Sequence, residues 1–215
     1  MYAAIRGDES LAEYTDLVLA LWGHLVDGPA IFKMTTDLVC SPTSPPQSAI
    51  NDLIRRILRD WAMLFEWLCM AQSRIGLPSA VMKSKWRDAA VFPLSGDELR
   101  DWTQLALRGT YATCRMLKAR LLVALAPTRF RHLEGEAQEL AERILSLDSD
   151  TLSTSGILGH GLVGSLFVSQ SSWLARAIIE TKDIWVEGLD VCPDGMVERS
   201  KFEAWCAGMG RKLSS

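Results

Sequence analysis

GILGHGLVGSLFVSQSSWLARAIIETKDIW (Gly156–Trp185) is the stretch that decides the fold of this chain. It overlaps the longest run without Asp, Glu, Lys or Arg, which extends from Thr151 to Ala175. The stretch begins with small residues around His160 and ends as an amphipathic segment. Three interpretations compete: a phosphate-binding loop, a membrane span, or a buried helix that lines a pocket.

The glycines at the start of this stretch match a dinucleotide-binding pattern. Gly159–Gly164 reads G-x-G-x-x-G, but that motif requires a preceding strand and a tight turn that places a pyrophosphate at a helix N-terminus. The preceding letters, LSTSGIL, show no strand alternation. We therefore expect a closely packed helix start here and no nucleotide loop.

The same run is long enough to cross a bilayer, for which about 20 apolar residues suffice. However, Thr151–Ala175 contains His160, Gln170, four glycines and several Ser and Thr residues. It also lacks the basic flank that is typical of a single-pass anchor. The sequence predicts a buried helix and no membrane span.

Capped segments with a helical period make up most of the remaining chain. Ser10 with Glu13 and Ser95 with Glu98 form capping boxes, and no segment shows the period-two alternation of a strand. The sequence predicts an all-α fold, a single globular domain over residues 1–215 with about seven helices. Besides the opening stretch, the predicted helices are about 10–26, 30–39, 47–74, 95–126, 133–147 and 196–208.

Three further features refine this prediction. Residues 40–46, CSPTSPP, form a loop that separates an N-terminal helical pair from the main bundle. Asp148–Ser155 is expected to be a polar turn, and the helix over 47–74 is expected to be central because its apolar sector is wide. Gly109 lies inside a predicted helix, where Gly costs about 1 kcal/mol relative to Ala, so it predicts close helix packing or a kink.

Composition excludes several classes of function. The formal charge of −3 argues against a nucleic-acid-binding surface, so no direct nucleic-acid binding is expected. The five cysteines are scattered and contain no C-x-x-C pair, which predicts neither a disulfide framework nor a zinc site. The N-terminus has no apolar signal-peptide core. We expect a cytoplasmic or nuclear protein without metal or cofactor.

The histidines offer acid–base chemistry but no metal spacing. His24 lies on an apolar helix face near Asp27, which suggests a general-acid or hydrogen-bonding role. For His24 and His160, a core histidine with a structural partner is the alternative. His132 ends a basic patch, Arg129–His132, which is expected to be a solvated loop.

The segment Ser172–Thr181 (SWLARAIIET), followed by Ile184 and Trp185, and the final Phe202–Cys206 (FEAWC) with Gly210–Lys212 (GRK) carry a resemblance. They resemble the large helical region of fungal binuclear zinc-cluster transcription factors, over about residues 50–215. The family binds DNA through an N-terminal six-cysteine cluster, which this sequence does not contain. The resemblance implies either an excised regulatory domain or a descendant that kept the helical pocket for another task.

The favoured function is a stand-alone protein of fungal specialised metabolism that binds an apolar small molecule. It would act as a cofactor-independent cyclase or isomerase of the pericyclase (Diels-Alderase) type, which needs a shaped apolar cavity and a donor that polarises a carbonyl. Candidate catalytic residues are His24, Tyr111 and His160. Candidate substrate-binding residues in a Trp-rich pocket are Trp22, Trp61, Phe65, Trp67, Trp102 and Trp173.

Two other functions remain open. One is an effector-binding regulatory domain of a fungal transcription factor, and the other is a helical scaffold that forms a homodimer through an exposed Trp or Leu face. We favour the first function because the chain opens with Met1 and a capped helix, from which we expect a complete protein. For each candidate aromatic residue, core packing is the alternative to a place in the pocket.

Overall fold

The computed structural model describes residues 15–75, 96–154, 161–187 and 195–210, and within these ranges every regular element is a helix. The all-α fold predicted from the helical period is therefore confirmed. A first helical segment, α1, covers residues 15–26. The others are α2 (Gly28–Val39), α3 (Gln47–Ile75), α4 (Gly96–Leu125), α5 (Pro127–Phe130), α6 (His132–Thr154), α7 (Gly161–Glu180), α8 (Lys182–Glu187) and α9 (Arg199–Gly208).

Two predicted boundaries are wrong, and each has a local cause. The polar turn expected from Asp148 is helical to Thr154, because neither Gly nor Pro interrupts α6 there and Ser, Asp and Thr are only modestly unfavourable in a helix. The last helix begins at Arg199 and not near Met196. The amide of Val197 donates to the carbonyl of Ala124 at 2.8 Å, which holds the entering chain against α4.

The expected basic loop is also partly helical. Pro127–Phe130 forms the short helix α5, and His132 is the exposed first residue of α6. The capping residues Ser10, Glu13 and Ser95 lie outside the described residues.

Helix α4 lies at the centre of the fold. It contacts α2, α3, α5, α6 and α7, and Leu121–Leu125 is buried on every side. The prediction that α3 is the central helix is wrong: α3 buries Leu53, Ile57 and Leu64, but part of its wide apolar sector faces solvent. The exposed members of that sector are Met63, Phe65 and Met70.

The decisive stretch packs as a buried helix where its side chains are described. Leu174, Ala175, Ala177 and Ile178 of α7 lie in the main core. The side chains before Ser171, including the glycine-rich start, are outside the described part of the chain.

The main core ends in an aromatic cluster that joins α2, α8 and α9. Trp185 and Trp205 meet edge to face with ring centroids 5.6 Å apart, and Phe202 meets Trp205 at the same distance. Phe32 of α2 completes the cluster, 6.0 Å from Trp205. Aromatic pairs at such distances add about 0.5–1.5 kcal/mol beyond the area that they bury, so this cluster is a major source of stability.

A smaller cluster holds α1 against α3 and α4. Leu17 and Leu21 pack on Leu64 and Trp67, and the Trp67 indole donates to the carbonyl of Leu17 at 2.9 Å. This contact fixes the rotation of α1 and therefore which of its faces meets α3.

One described helical stretch, Thr15–Val39, is long and apolar enough to cross a membrane by length and composition alone. It comprises α1 and α2 and is not the run that the sequence suggested. A single helical stretch of this kind is weak evidence for a membrane segment, because core helices and signal sequences pass the same test.

Two glycines should respond oppositely to replacement by Ala. A Cβ on Gly208 would lie 3.2 Å from the Cβ of Ala177, so Gly208→Ala must push α9 away from α7 and should lower the free energy of unfolding by about 1 kcal/mol. Gly135 has no atom within 4 Å of such a Cβ, so Gly135→Ala should raise it by about 0.5–1 kcal/mol. Urea denaturation measures both, and equal stability of the two variants would contradict the packing at Gly208.

Gly109 lies near α7 without being required there. A Cβ would stand 3.7 Å from the Ser171 hydroxyl oxygen, an ordinary contact. The carbonyl of Gly109 accepts hydrogen bonds from Thr113 at 2.7 Å and from Ser171 at 3.3 Å. Close approach of two helices, which the sequence predicted as one option, is present, but it leaves space for Ala.

Candidate functional site

A cleft of about 360 Å³ lies between α1, the start of α2 and α3. Helices α1 and α3 each contribute lining residues spaced i, i+3, i+4 and i+7, the spacing of one helical face. Because Leu17 and Leu21, on the adjoining face of α1, pack on Leu64 and Trp67 of α3, the polar face beside them borders α3 as well. The lining residues are Ala20, Gly23, His24 and Asp27 from α1 and its end, Ile31 from α2, and Arg56, Arg59, Asp60 and Met63 from α3.

A chain of three ionisable groups borders the cleft. His24 Nδ1 lies 2.6 Å from Asp60 Oδ1, and Lys118 Nζ of α4 lies 2.7 Å from Asp60 Oδ2. The Lys118 side chain is only 3% exposed, and those of His24 and Asp60 are 10% and 14% exposed. Asp60 thus joins a residue of the cleft wall to a buried cation.

The partners of Asp60 keep it ionised. Burial by itself would raise the pKa of Asp60, but hydrogen bonds from Lys118 and His24 and the charge of Lys118 outweigh burial, so the pKa lies below its ordinary value. A carboxylate only accepts hydrogen bonds, so a neutral His24 carries its proton on Nδ1 and keeps a lone pair on Nε2. Within the part of the chain that the structure describes, nothing bonds to that second nitrogen.

The remaining charges of the cleft are distributed unevenly. Arg56 lies 3.6 Å from Asp27 and its guanidinium also approaches the sulfur of Met34 at 3.7 Å. Arg59 has no hydrogen bond or ion pair with any described residue. Asp27, which the sequence placed near His24, lines the same cleft, but the carboxylate bonded to the imidazole belongs to Asp60 of α3.

Of the three predicted catalytic residues, the structure places one at the cleft. His24 lines it, whereas Tyr111 stacks on Trp67 with centroids 5.9 Å apart in the smaller core cluster. Burial raises the pKa of Tyr111, although the nearby Arg115 acts in the opposite direction. His160 lies outside the described residues.

The predicted substrate-binding residues do not come together in this cleft. Trp67 is a fully buried core residue, and Trp61 lies beneath Arg115, whose guanidinium carbon is 3.7 Å from the ring centroid. The side chain of Trp102 is outside the described part of the chain. The remaining three are exposed at separate places on α1, α3 and α7: Trp22, Phe65 and Trp173.

Sequence reasoning missed Asp60 and Lys118. In the sequence, Asp60 follows Arg55, Arg56 and Arg59 within α3, a grouping of charges that is typical of the solvent side of a helix. Lys118 stands between Arg115 and Arg120 on α4, so no local pattern distinguished it from a lysine that faces solvent. The separation of 36 residues between His24 and Asp60 matches no local motif.

Metal and cysteine chemistry receive no support from the described residues. These residues contain no group of three or more His, Cys, Asp or Glu side chains that could hold a metal ion. Their cysteines are free, with Cys114 and Cys206 buried and Cys69 exposed. Burial raises the pKa of Cys114 to about 11, which leaves its thiol protonated and weakly nucleophilic at neutral pH.

Acid should weaken the fold through Asp60. Folding lowers the pKa of Asp60, so the unfolded chain binds this proton more readily than the folded chain does. The ionised carboxylate therefore stabilises the fold at pH values above its ordinary pKa of 3.8, and this contribution is lost as the pH falls through the lower pKa of the folded state. The gap in unfolding free energy between wild type and Asp60→Asn should narrow between about pH 6 and about pH 3. Urea titrations at several pH values, with Glu142→Gln as an exposed control, measure this, and a constant gap would refute the ion-pair assignment.

Comparison with protein-family models, curated proteins and solved structures gives no match to this chain. The resemblance to zinc-cluster regulators therefore stays a prediction.

Proposed function

We propose that this protein binds a small, largely apolar molecule in the cleft beside His24 and catalyses its isomerisation or cyclisation without a cofactor. The observation that carries the proposal is the 2.6 Å contact between His24 Nδ1 and Asp60 Oδ1 at the wall of a cleft of about 360 Å³. A carboxylate that orients a histidine and fixes its tautomer leaves the other ring nitrogen ready for proton transfer.

The chemistry needs only groups that the cleft contains. In an isomerisation, Nε2 of His24 takes a proton from a carbon next to a carbonyl, and the resulting imidazolium returns a proton to another carbon of the same conjugated system. The double bond moves, and no atom or electron is gained or lost. In a cyclisation, the protonated form of His24 donates a hydrogen bond from Nε2 to a carbonyl oxygen and polarises the reacting system.

The energetic cost of the cluster supports a functional role. Charged pairs removed from water stabilise a fold little or not at all, and apolar residues of similar volume often do better. Here a buried Lys118, an ionised Asp60 and His24 adjoin a cleft. Titratable groups that are grouped in this way beside a cleft are typical of functional sites.

The test compares two histidine variants of the full chain. His24→Gln keeps a hydrogen-bonding side chain but cannot transfer a proton at neutral pH, whereas His132→Gln changes a histidine that is exposed at the start of α6. Purified proteins are incubated with a panel of conjugated polyene carbonyl compounds and the product ratio is followed by chromatography. Wild type and His132→Gln should shift the ratio, and His24→Gln should act at least about a hundredfold more slowly.

The same experiment also distinguishes catalysis from the alternative function, effector binding. An unchanged product ratio across the panel, with the wild-type protein folded, refutes the cyclase and isomerase proposal. Saturable binding at the cleft without turnover supports an effector-binding regulatory domain in its place.

A further inference from the structure

We infer that the ligand of the His24 cleft carries one carboxylate, which Arg59 binds, and an apolar body that contacts Met63, Ile31 and Ala20. This inference rests on the proposed function, because it names the class of small molecule that the same cleft takes. Two observations support it: Arg59 is a positive charge of the lining without a counter-charge, and the rest of the lining includes apolar surface.

The charges of the cleft leave one cation without a counter-charge. Asp60 is neutralised by Lys118 at 2.7 Å, and Asp27 lies 3.6 Å from Arg56. Arg59 lines the cleft and pairs with none of the described residues. Apart from His24, the lining and its ion-pair partners therefore hold one positive charge without a partner, which matches one carboxylate.

The sequence around Arg59 explains why its guanidinium stays available. On a helix, side chains three or four positions apart can pair, and Arg55 pairs in this way with Asp52. Arg59 has no acid at those spacings, since the positions are Arg55, Arg56, Ala62 and Met63. An arginine fork binds a carboxylate through two parallel hydrogen bonds, which gives orientation as well as affinity.

The other lining residues offer apolar surface for the rest of the ligand. Ala20 and Gly23 of α1 line the cleft together with Met63, which stands one turn after Arg59 on α3, and with Ile31 of α2, which is 1% exposed. The unbranched Met side chain adapts to different apolar shapes. A volume of about 360 Å³ is near the lower end of small-molecule sites, which favours a compact amphiphile.

The same arrangement orients the ligand for His24. Asp60, which holds the imidazole, follows Arg59 directly on α3. A carboxylate fixed on Arg59 therefore places the adjoining carbons of the ligand within the cleft that His24 lines. Arg59 would act as a binding and positioning residue, and His24 as the group that transfers the proton.

The experiment uses octanoate as the probe and octanamide as its neutral analogue. Both are titrated into full-length protein that carries ¹³C-methyl methionine, and the Met63 methyl signal, assigned with Met63→Leu, reports occupancy of the cleft. Octanoate should bind at least about tenfold more tightly than octanamide, because a hydrogen-bonded charge contributes more than a neutral group. Arg59→Gln should abolish that difference, and Arg55→Gln, which alters a neighbouring exposed arginine outside the cleft, should preserve it.

Every other result of these titrations contradicts a specific part of the inference or of the proposed function. If octanamide binds as tightly as octanoate, or Arg59→Gln leaves octanoate affinity unchanged, the carboxylate inference fails while the cleft remains a small-molecule site. If Arg55→Gln weakens octanoate as much as Arg59→Gln does, the effect is general surface charge and the inference fails as well. If neither compound shifts the Met63 signal at millimolar concentration, both the inference and the proposed function fail.

Discussion

Replacing Arg120 with Met is expected to lower the free energy of unfolding by about 3–5 kcal/mol, the range observed when one partner of a buried ion pair is removed. The Arg120 side chain is fully buried, and its guanidinium lies 2.7 Å from a carboxylate oxygen of Glu134. It also donates to the carbonyl of Ile178 at 2.9 Å and to the Thr181 hydroxyl at 3.2 Å. Burial lowers the pKa of Arg120 to about 10, which leaves it protonated at neutral pH.

The loss in Arg120→Met comes from the partner that remains. Glu134 would keep only the hydrogen bond from Gln138, at 2.9 Å, in a buried position. Burial already raises the pKa of Glu134, and Arg120 opposes that rise. Without Arg120 the carboxyl would be neutral when folded and ionised when unfolded, so stability falls as pH rises, and the loss should be larger at about pH 8 than at about pH 5.

Urea denaturation of Arg120→Met, Glu134→Leu and the double variant tests this account. The double variant should be clearly more stable than the sum of the two single losses implies, because no unpaired charge remains in the core. Arg143→Met removes an exposed arginine that lies 3.6 Å from Glu139 and should change stability little. Additive losses in the double variant would show that Arg120 and Glu134 do not stabilise each other.

Truncating Trp205 to Ala is expected to cost about 3–5 kcal/mol, the range observed when a buried large aromatic residue is removed. Trp205 is completely buried and contacts Phe32, Phe202 and Trp185. The guanidinium of Arg120 also lies 5.9 Å from its ring centroid. Its removal therefore opens a cavity at the point where α2, α8 and α9 meet.

Two matched variants make this prediction specific. Trp173→Ala removes the same side chain from a position that is 61% exposed, so it should cost far less. Trp205→Phe should also cost less than Trp205→Ala, because a ring remains and the indole N–H, which finds no acceptor among the described residues, is lost. Denaturant midpoints at constant slope measure all three, and equal losses for Trp205→Ala and Trp173→Ala would contradict the packing described above.

The two buried cations of α4 serve different purposes because their surroundings differ. Arg120 is enclosed by Trp185, Trp205 and Glu134 within the core, so its interactions concern stability. Lys118, two residues earlier, pairs with Asp60 at the border of a cleft. The same kind of ion pair therefore supports the fold in one place and a candidate site in the other.

Most of the secondary structure could be predicted from local patterns. The apolar period of Gln47–Arg74 predicted α3 to within one residue of its observed end, and Gly28-Pro29 marked the start of α2. The pattern failed at Asp148, where polar residues without Gly or Pro continue a helix. It failed again near Met196, because Val197 donates a hydrogen bond to α4 and the next helix begins only at Arg199.

The candidate site could be predicted only in part. His24 was singled out because a histidine on an apolar helix face needs a partner, but its partner, Asp60, could not be identified from the sequence. The aromatic residues were expected to gather around a ligand, yet Trp67 is in the core and Trp173 is exposed. A helical period gives the face on which a residue lies but not the surface that covers this face.

The same difference between local sequence patterns and tertiary packing applies to the whole chain. Amphipathic periods and the Gly and Pro positions were sufficient to predict helices in the described parts of the chain, because helix formation depends on neighbours within a few residues. The association of His24, Asp60 and Lys118 joins three helices over separations of 36 and 58 residues. It exists because Leu17, Leu21 and Trp67 set the rotation of α1 against α3, and such packing is defined only when the helices meet.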